Sequence, residues 1–178
     1  GEAFTSTLSD VWTFGDGQKA LNVQDAVVFY NPNDSLVKVT LTMYRSNGTT
    51  IVSQRNAEAN KRGGWLLRDF PQLTDGETVG IKVEGEAPIV AALTHFDASK
   101  SFGYGTLGTP SLGEVQGVSP EGQFGVGAAS EAIGILNAGV APANVTLTFS
   151  FANGSAYRRQ VVVPAGVRST VQVAELPG

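Results

Sequence analysis

V39-T-L-T-M-Y-R-S-N-G-T-T50 and V145-T-L-T-F-S-F-A-N-G-S-A156 stand 106 positions apart (145 − 39) in a chain of 178 residues. At the start of both stretches, apolar residues alternate with polar ones, the pattern of a β-strand with one face buried and one in water. Asn47-Gly48 and Asn153-Gly154 then supply the positive φ angles that a tight hairpin needs. Aligned without a gap at that offset, residues 25–71 and 131–177 agree at 12 of 47 positions, where chance gives roughly three. The agreements include Ala26/Ala132, Asn31/Asn137, Gln54/Gln160, Arg62/Arg168 and Pro71/Pro177. Upstream, T13-F-G-D-G17 resembles Q123-F-G-V-G127. The chain is an internal duplication.

Working outward from the repeat, strands are expected at 25–31, 37–43, 49–55, 64–70, 78–84 and 87–96. In the second copy they are expected at 131–137, 145–151, 157–163 and 168–174. Gly and Pro punctuate these segments and no window carries a helical period. Short strands at this spacing give an all-β chain of two tandem immunoglobulin-like β-sandwich domains. The expected division is an N-terminal segment 1–10, a complete sandwich 11–110, a Gly-rich linker 111–122 and a second, shortened sandwich 123–178. After Pro71 the first copy continues through T78-V-G-I-K-V83 and A87-P-I-V-A-A-L93, whereas the second reaches Gly178 one residue past Pro177. The second copy is therefore expected to lack its last strands and to expose an open edge. Continuation of the chain, a strand-swapped homo-oligomer, or a strand donated from residues 1–10 (F4-T-S-T-L8) would each complete it.

Composition narrows the partners. The net charge of −4, with 12 scattered Lys and Arg against 16 Asp and Glu, argues against nucleic acid. The chain has no Cys, so it holds no disulfide and no thiolate metal site. No apolar run approaches the roughly 20 residues of a membrane-spanning helix. The sequence opens on Gly1 and its one Met is Met43, which suggests a removed leader and an extracytoplasmic protein.

The segments W12-T-F-G-D-G17, D25-A-V-V-F-Y-N-P32 and P88-I-V-A-A-L-T-H-F-D97 resemble the sensory rhodopsin transducers and their wider superfamily. So do E131-A-I-G-I-L-N-A-G139, N144-V-T-L-T148, V163-P-A165 and Arg168 of the second copy. The resemblance implies a compact, oligomer-forming β-sandwich that binds a small molecule, with sugars among the ligand classes. It also marks the polar strand end Thr94, His95 and Asp97 as the ligand-contacting residues. A rhodopsin partner is not implied, because this chain is a tandem.

The residues themselves offer little catalysis. His95 is the one histidine; two positions apart on a strand, it and Asp97 share a face at about 7 Å, too far for a base and its orienting acid. No G-x-S-x-G elbow accompanies them, and one His builds no His-rich metal site. G103-Y-G-T-L-G108 fits the G-x-G-x-x-G pattern, but a dinucleotide site also needs a following helix, and Pro110 stands there instead. Trp12 is a candidate sugar-stacking platform, whereas Trp65 reads as core. Asn31, Asn137, Arg62 and Arg168 recur in both copies and read as structural. The expectation is a non-catalytic binding module for a small molecule or glycan, without cofactor or metal. Its alternative is a scaffolding surface repeat that self-assembles through strand exchange or edge pairing.

Overall fold

Alternating apolar residues dominate the first copy, and a computed structural model, describing residues 5–111, 117 and 131–173, folds them into seven strands. These are β1 Ser9–Ala20, β2 Val23–Tyr30, β3 Val37–Tyr44, β4 Thr50–Ala57, β5 Arg62–Leu66, β6 Glu77–Asp97 and β7 Phe102–Leu107. The strands expected at 78–84 and 87–96 are one continuous strand, β6, of 21 residues. Its first half pairs with β1 and β3, and its second half with β2 and β7. Pro88, which has no N–H to give, falls between the two ladders, after Gly85 leaves β3 and before Val90 joins β2. One bent strand thus serves both layers, β4-β3-β6-β1 and β5-β2-β6-β7. A bridge between Thr13 and Thr109 brings β7 back to β1 and nearly closes the sheet.

The inward faces of these strands form one core. Trp12, Val27, Phe29, Val39, Leu41, Met43, Trp65, Val79, Ile81, Val83, Ile89 and Leu93 are all buried. Phe29 and Trp65 meet at 5.2 Å between ring centroids, inside the range where tilted aromatic pairs attract.

The described strands of the second copy are β8 Ala132–Asn137, β9 Ala143–Ser150, β10 Ala156–Val163 and β11 Val167–Gln172. They pair as β8–β11 and β9–β10, the counterparts of β2–β5 and β3–β4 at the offset of 106. The hairpin glycines Gly48 and Gly154 sit at φ 81° and 83°, the left-handed region read from the Asn-Gly pairs. Val171 and Val173 are buried in this unit, with Ile133, Ile135, Leu147, Phe149, Tyr157 and Val161 half-buried around them. The chain is an all-β sandwich protein.

The two asparagines act alike. Asn31 Nδ2 donates to the carbonyls of Ser35 (2.8 Å), Ala57 (3.0 Å) and Glu58 (3.1 Å), and its Oδ1 accepts from Asn33 N at 2.9 Å. Asn137 Nδ2 donates to Ala141 O (2.8 Å) and Val163 O (2.9 Å), and Oδ1 accepts from Gly139 N at 3.0 Å. Each amide ties the end of a strand in one layer to a strand end in the other. In each case one of the accepting carbonyls, Ala57 O or Val163 O, belongs to a buried residue.

Three expectations change. G103-Y-G-T-L-G108, where no strand was expected, is mostly β7, because alternate small residues let it lie flat along the second half of β6. Ser9 and Asp10, assigned to the N-terminal segment, already belong to β1, while Thr5–Leu8 of the candidate donated strand carry no strand. Of the linker 111–122 only Ser111 and Gly117 are described, and Q123-F-G-V-G127 lies outside the described residues.

Candidate ligand-binding site

The alternation along β6 sorts the predicted site residues onto different surfaces. From Ile89 onward, Ile89, Ala91, Leu93, His95 and Asp97 point inward, and Val90, Ala92, Thr94 and Phe96 point outward. Thr94 lines an open depression of about 660 Å³ on the outer face, with Ala26, Val28, Tyr30, Gly64 and Ala92. Asp97 caps a turn: it accepts from Ser99 N (2.9 Å), Ser99 Oγ (2.5 Å) and Lys100 N (3.3 Å). The Ser99 hydroxyl foremost holds its carboxyl below the usual aspartate value. Trp12 is 1% exposed and donates from Nε1 to Ile89 O at 2.9 Å. It is a core residue rather than a sugar platform, because the position faces inward from β1, opposite Val83 of β6. The four predicted residues do not converge on one pocket.

His95 finds its partner across the sheet, not along its own strand. The β2–β6 register sets Asp25 opposite His95, and Nδ1 lies 2.6 Å from Asp25 Oδ1. Despite that short separation, Oδ1 has no aligned hydrogen-bond partner. Asp25 Oδ2 accepts from Gln18 N at 2.6 Å. Asp25 is 2% exposed; burial raises its pKa, and the Gln18 N–H and His95 oppose that rise without cancelling it. On the other side of His95, the β6–β7 register places Tyr104, whose ring stacks at 4.9 Å and 19°. Burial, then Asp16 and Asp25, push the Tyr104 hydroxyl up to about 12, so it is a neutral donor at any physiological pH.

Tyr104 forms one wall of a cleft of about 290 Å³ between β1, β7 and the second unit. Thr13, Gly15 and Asp16 of β1, Thr106, Thr109 and Gly134 line it too, together with the apolar Phe14, Leu93 and Leu107. The backbones of Gly15 and Gly134 approach so closely that a Cβ on Gly15 would stand 2.6 Å from Gly134 O, and one on Gly134 would stand 2.5 Å from Gly15 O. Only glycine permits that approach. Arg168, 3% exposed, holds the junction with bonds to Gly15 O (3.3 Å), Thr78 Oγ1 (2.6 Å), Asp16 Oδ1 (2.6 Å) and Thr170 Oγ1. Arg62, its counterpart, is exposed and lines the outer depression. Equal sequence positions therefore serve unequal roles, because the faces that carry them meet different surroundings.

The cleft offers an aromatic wall, hydroxyls and a half-exposed carboxylate. Among the described residues no hydroxyl hydrogen-bonds to His95, and no group of three or more acidic or histidine side chains could hold a metal ion. Of the groups at the cleft and behind it, one was readable in principle. Asp25 stands in phase with the inward Val27 and Phe29, so a carboxylate in that series marks a buried ionisable group. Tyr104 was hidden by its glycines, which break up the strand signal.

The chain matches no protein-family profile and no curated protein. Among solved structures it resembles the crystal structure of Thermotoga maritima 1070 at TM-score 0.54 and 19% identity, over 60% of this chain and 97% of that one. It also resembles the Anabaena sensory rhodopsin transducer at TM-score 0.41 and 17% identity, over 49% and 97%. At these identities the likeness to the first is one of fold alone.

Proposed function

We propose that this chain is a non-catalytic binding module for a small hydroxyl-bearing molecule of monosaccharide size, held in the cleft between Tyr104 and Asp16. The observation that carries the reading is the Tyr104 ring, lining the cleft and backed at 4.9 Å by His95. A rigid aromatic face suits the apolar face of a sugar ring. Asp16, whose side chain is 51% exposed, and the threonines give directional partners for hydroxyl groups. A cleft of about 290 Å³ admits one ring rather than an extended chain. Because Gly134 closes it from the second unit, a bound molecule touches both units.

His95 and Asp25 serve as support beneath the tyrosine in this reading, not as base and orienting acid. Thr94, Asp97 and Trp12 take no part. The test is calorimetric titration and thermal shift against monosaccharides, polyols and small hydroxy acids. At least one class is expected to raise Tm, since a ligand at about a hundred times its Kd stabilises by about 2.7 kcal/mol. Tyr104→Ala is expected to weaken that binding at least about tenfold with the far-UV spectrum unchanged. A flat response across the panel, or binding untouched by Tyr104→Ala, refutes the proposal.

A further inference from the structure

The outer face of β5, β2 and β6 carries a set of groups that the cleft does not use. Register aligns them in cross-strand rows, Gly64–Val28–Ala92 and Arg62–Tyr30–Val90. These rows floor the open depression of about 660 Å³, a volume within the range of small-molecule sites. Val28 and Tyr30 are 37% and 43% exposed, so the floor is both apolar and accessible. Two guanidiniums line it from the β5 side. Arg55, reaching over from β4, donates from Nη1 to Gly64 O and lies over the Trp65 ring, 5.5 Å from its centroid. These contacts hold it at the rim. Arg62 is exposed. Among the described residues, neither arginine meets a carboxylate. Asp69, the acidic residue lining the depression, faces Arg68 at 3.8 Å instead.

The second unit shows what such a face accepts. At the offset of 106, Tyr30 corresponds to Leu136 and Arg62 to Arg168. There Asp16 sets a carboxylate oxygen 2.6 Å from Arg168 Nη2. Beside it Leu136 packs on Gly80, where an added Cβ would stand 2.7 Å from Leu136 Cδ1. The face thus meets a carboxylate and an apolar surface together. We infer that the outer depression of the first unit is a binding site for a small organic acid. Its apolar body lies on Val28, Tyr30 and Val90, and its carboxylate is held by Arg62 and Arg55. A guanidinium presents parallel N–H donors that match the two oxygens of a carboxylate. An inorganic anion would answer the arginines but leave the floor in water, and a neutral apolar molecule would do the reverse. The whole chain carries a net charge of −4, so attraction for an anion is local to this pair. The site is separate from the cleft at Tyr104 and does not rest on the reading given for it.

The test is calorimetric titration of the full chain with 2-naphthoate and with 2-naphthamide, its neutral counterpart. Naphthoate is expected to bind one-to-one with a Kd of about 1 mM or below, and naphthamide at least about tenfold more weakly. Naphthoate binding is expected to weaken as salt rises, because the site is open to solvent. Arg62→Gln is expected to weaken naphthoate at least about fivefold and to leave naphthamide unchanged; the side chain is exposed, so the fold is kept. Tyr104→Ala is expected to alter neither titration. Absent saturable binding of naphthoate, equal affinity for acid and amide, or naphthoate binding untouched by Arg62→Gln overturns the inference. So does a dimer in sedimentation that Tyr30→Glu dissociates, since a second copy would then cover this face.

Discussion

Replacing Arg168 by Met should loosen the second unit while leaving the first intact. The guanidinium is 3% exposed and carries four polar contacts, of which only Asp16 is charged. Breaking a fully buried ion pair costs about 3–5 kcal/mol. Asp16 is half exposed in the pair, so its carboxylate recovers water when the arginine is gone, and the loss falls to about 2–3 kcal/mol. For a chain of this size that is a fall of roughly 4–12 °C in Tm. Asp16→Ala leaves the opposite orphan, a charge with neutral acceptors only and no access to water, and should cost more, about 3–5 kcal/mol. The double variant should therefore be less destabilised than Asp16→Ala alone, and Arg62→Met should stay within about 0.5 kcal/mol of wild type. Urea unfolding followed by far-UV circular dichroism gives the energies, and native-state exchange at β8 and β11 amides gives the location. If Arg168→Met and Arg62→Met cost the same, or Asp16→Ala costs less than Arg168→Met, the clamp is not what holds the units together.

Asn31→Ala should cost about 2–4 kcal/mol and Asn137→Ala about 1–2, since each bond lost is worth about 1, and Asn31 is buried and makes more of them whereas Asn137 is half-buried. Calorimetric unfolding that leaves either variant at the wild-type Tm contradicts the latch. Trp12→Phe removes the bond to Ile89 O and leaves a cavity. A loss of about 2–4 kcal/mol in urea, with ligand binding unchanged, is the expected outcome; lost binding in a folded variant would restore Trp12 to the site. Glu77 bonds to Arg45 at 2.5 and 3.0 Å and to Thr74, and Arg45 foremost holds its carboxyl below the ordinary 4.5. A lowered acid pKa contributes stability that is full above 4.5 and fades as pH falls through the folded value. The stability gap between wild type and Glu77→Gln should accordingly close on acidification below pH 4.5, and a gap that is constant with pH would rule out the pair as its source.

The strands were readable because alternation is a local signal and the duplication reported it twice. V39-T-L-T and V145-T-L-T gave both the strand phase and the hairpin turn. What alternation cannot report is which strand lies beside which. The site depends on that: His95 meets Asp25 and Tyr104 only because β6 lies between β2 and β7, pairings between segments up to 70 residues apart (95 − 25). Along its own strand His95 has only Asp97 near it, too distant to pair, and that carboxylate serves the local turn at Ser99 and Lys100. The resemblance to the transducers likewise marked a strand end without the layer order that separates Thr94 from His95.

Arg62 and Arg168 carry the same lesson into the duplication itself. Identity across a repeat preserves the position of a side chain on its own strand, and here Arg62 is the first residue of β5 and Arg168 the second of β11, strands paired to β2 and β8. It does not preserve what packs against the outer face. The second unit lays that face on Gly15, Asp16 and Thr78, so its arginine is buried and bonded; the first unit leaves the face open, so its arginine is exposed. The asparagines differ from the arginines in one respect only: all their partners come from within their own unit. A repeated residue keeps its role where its partners are repeated with it, and changes it where they are not.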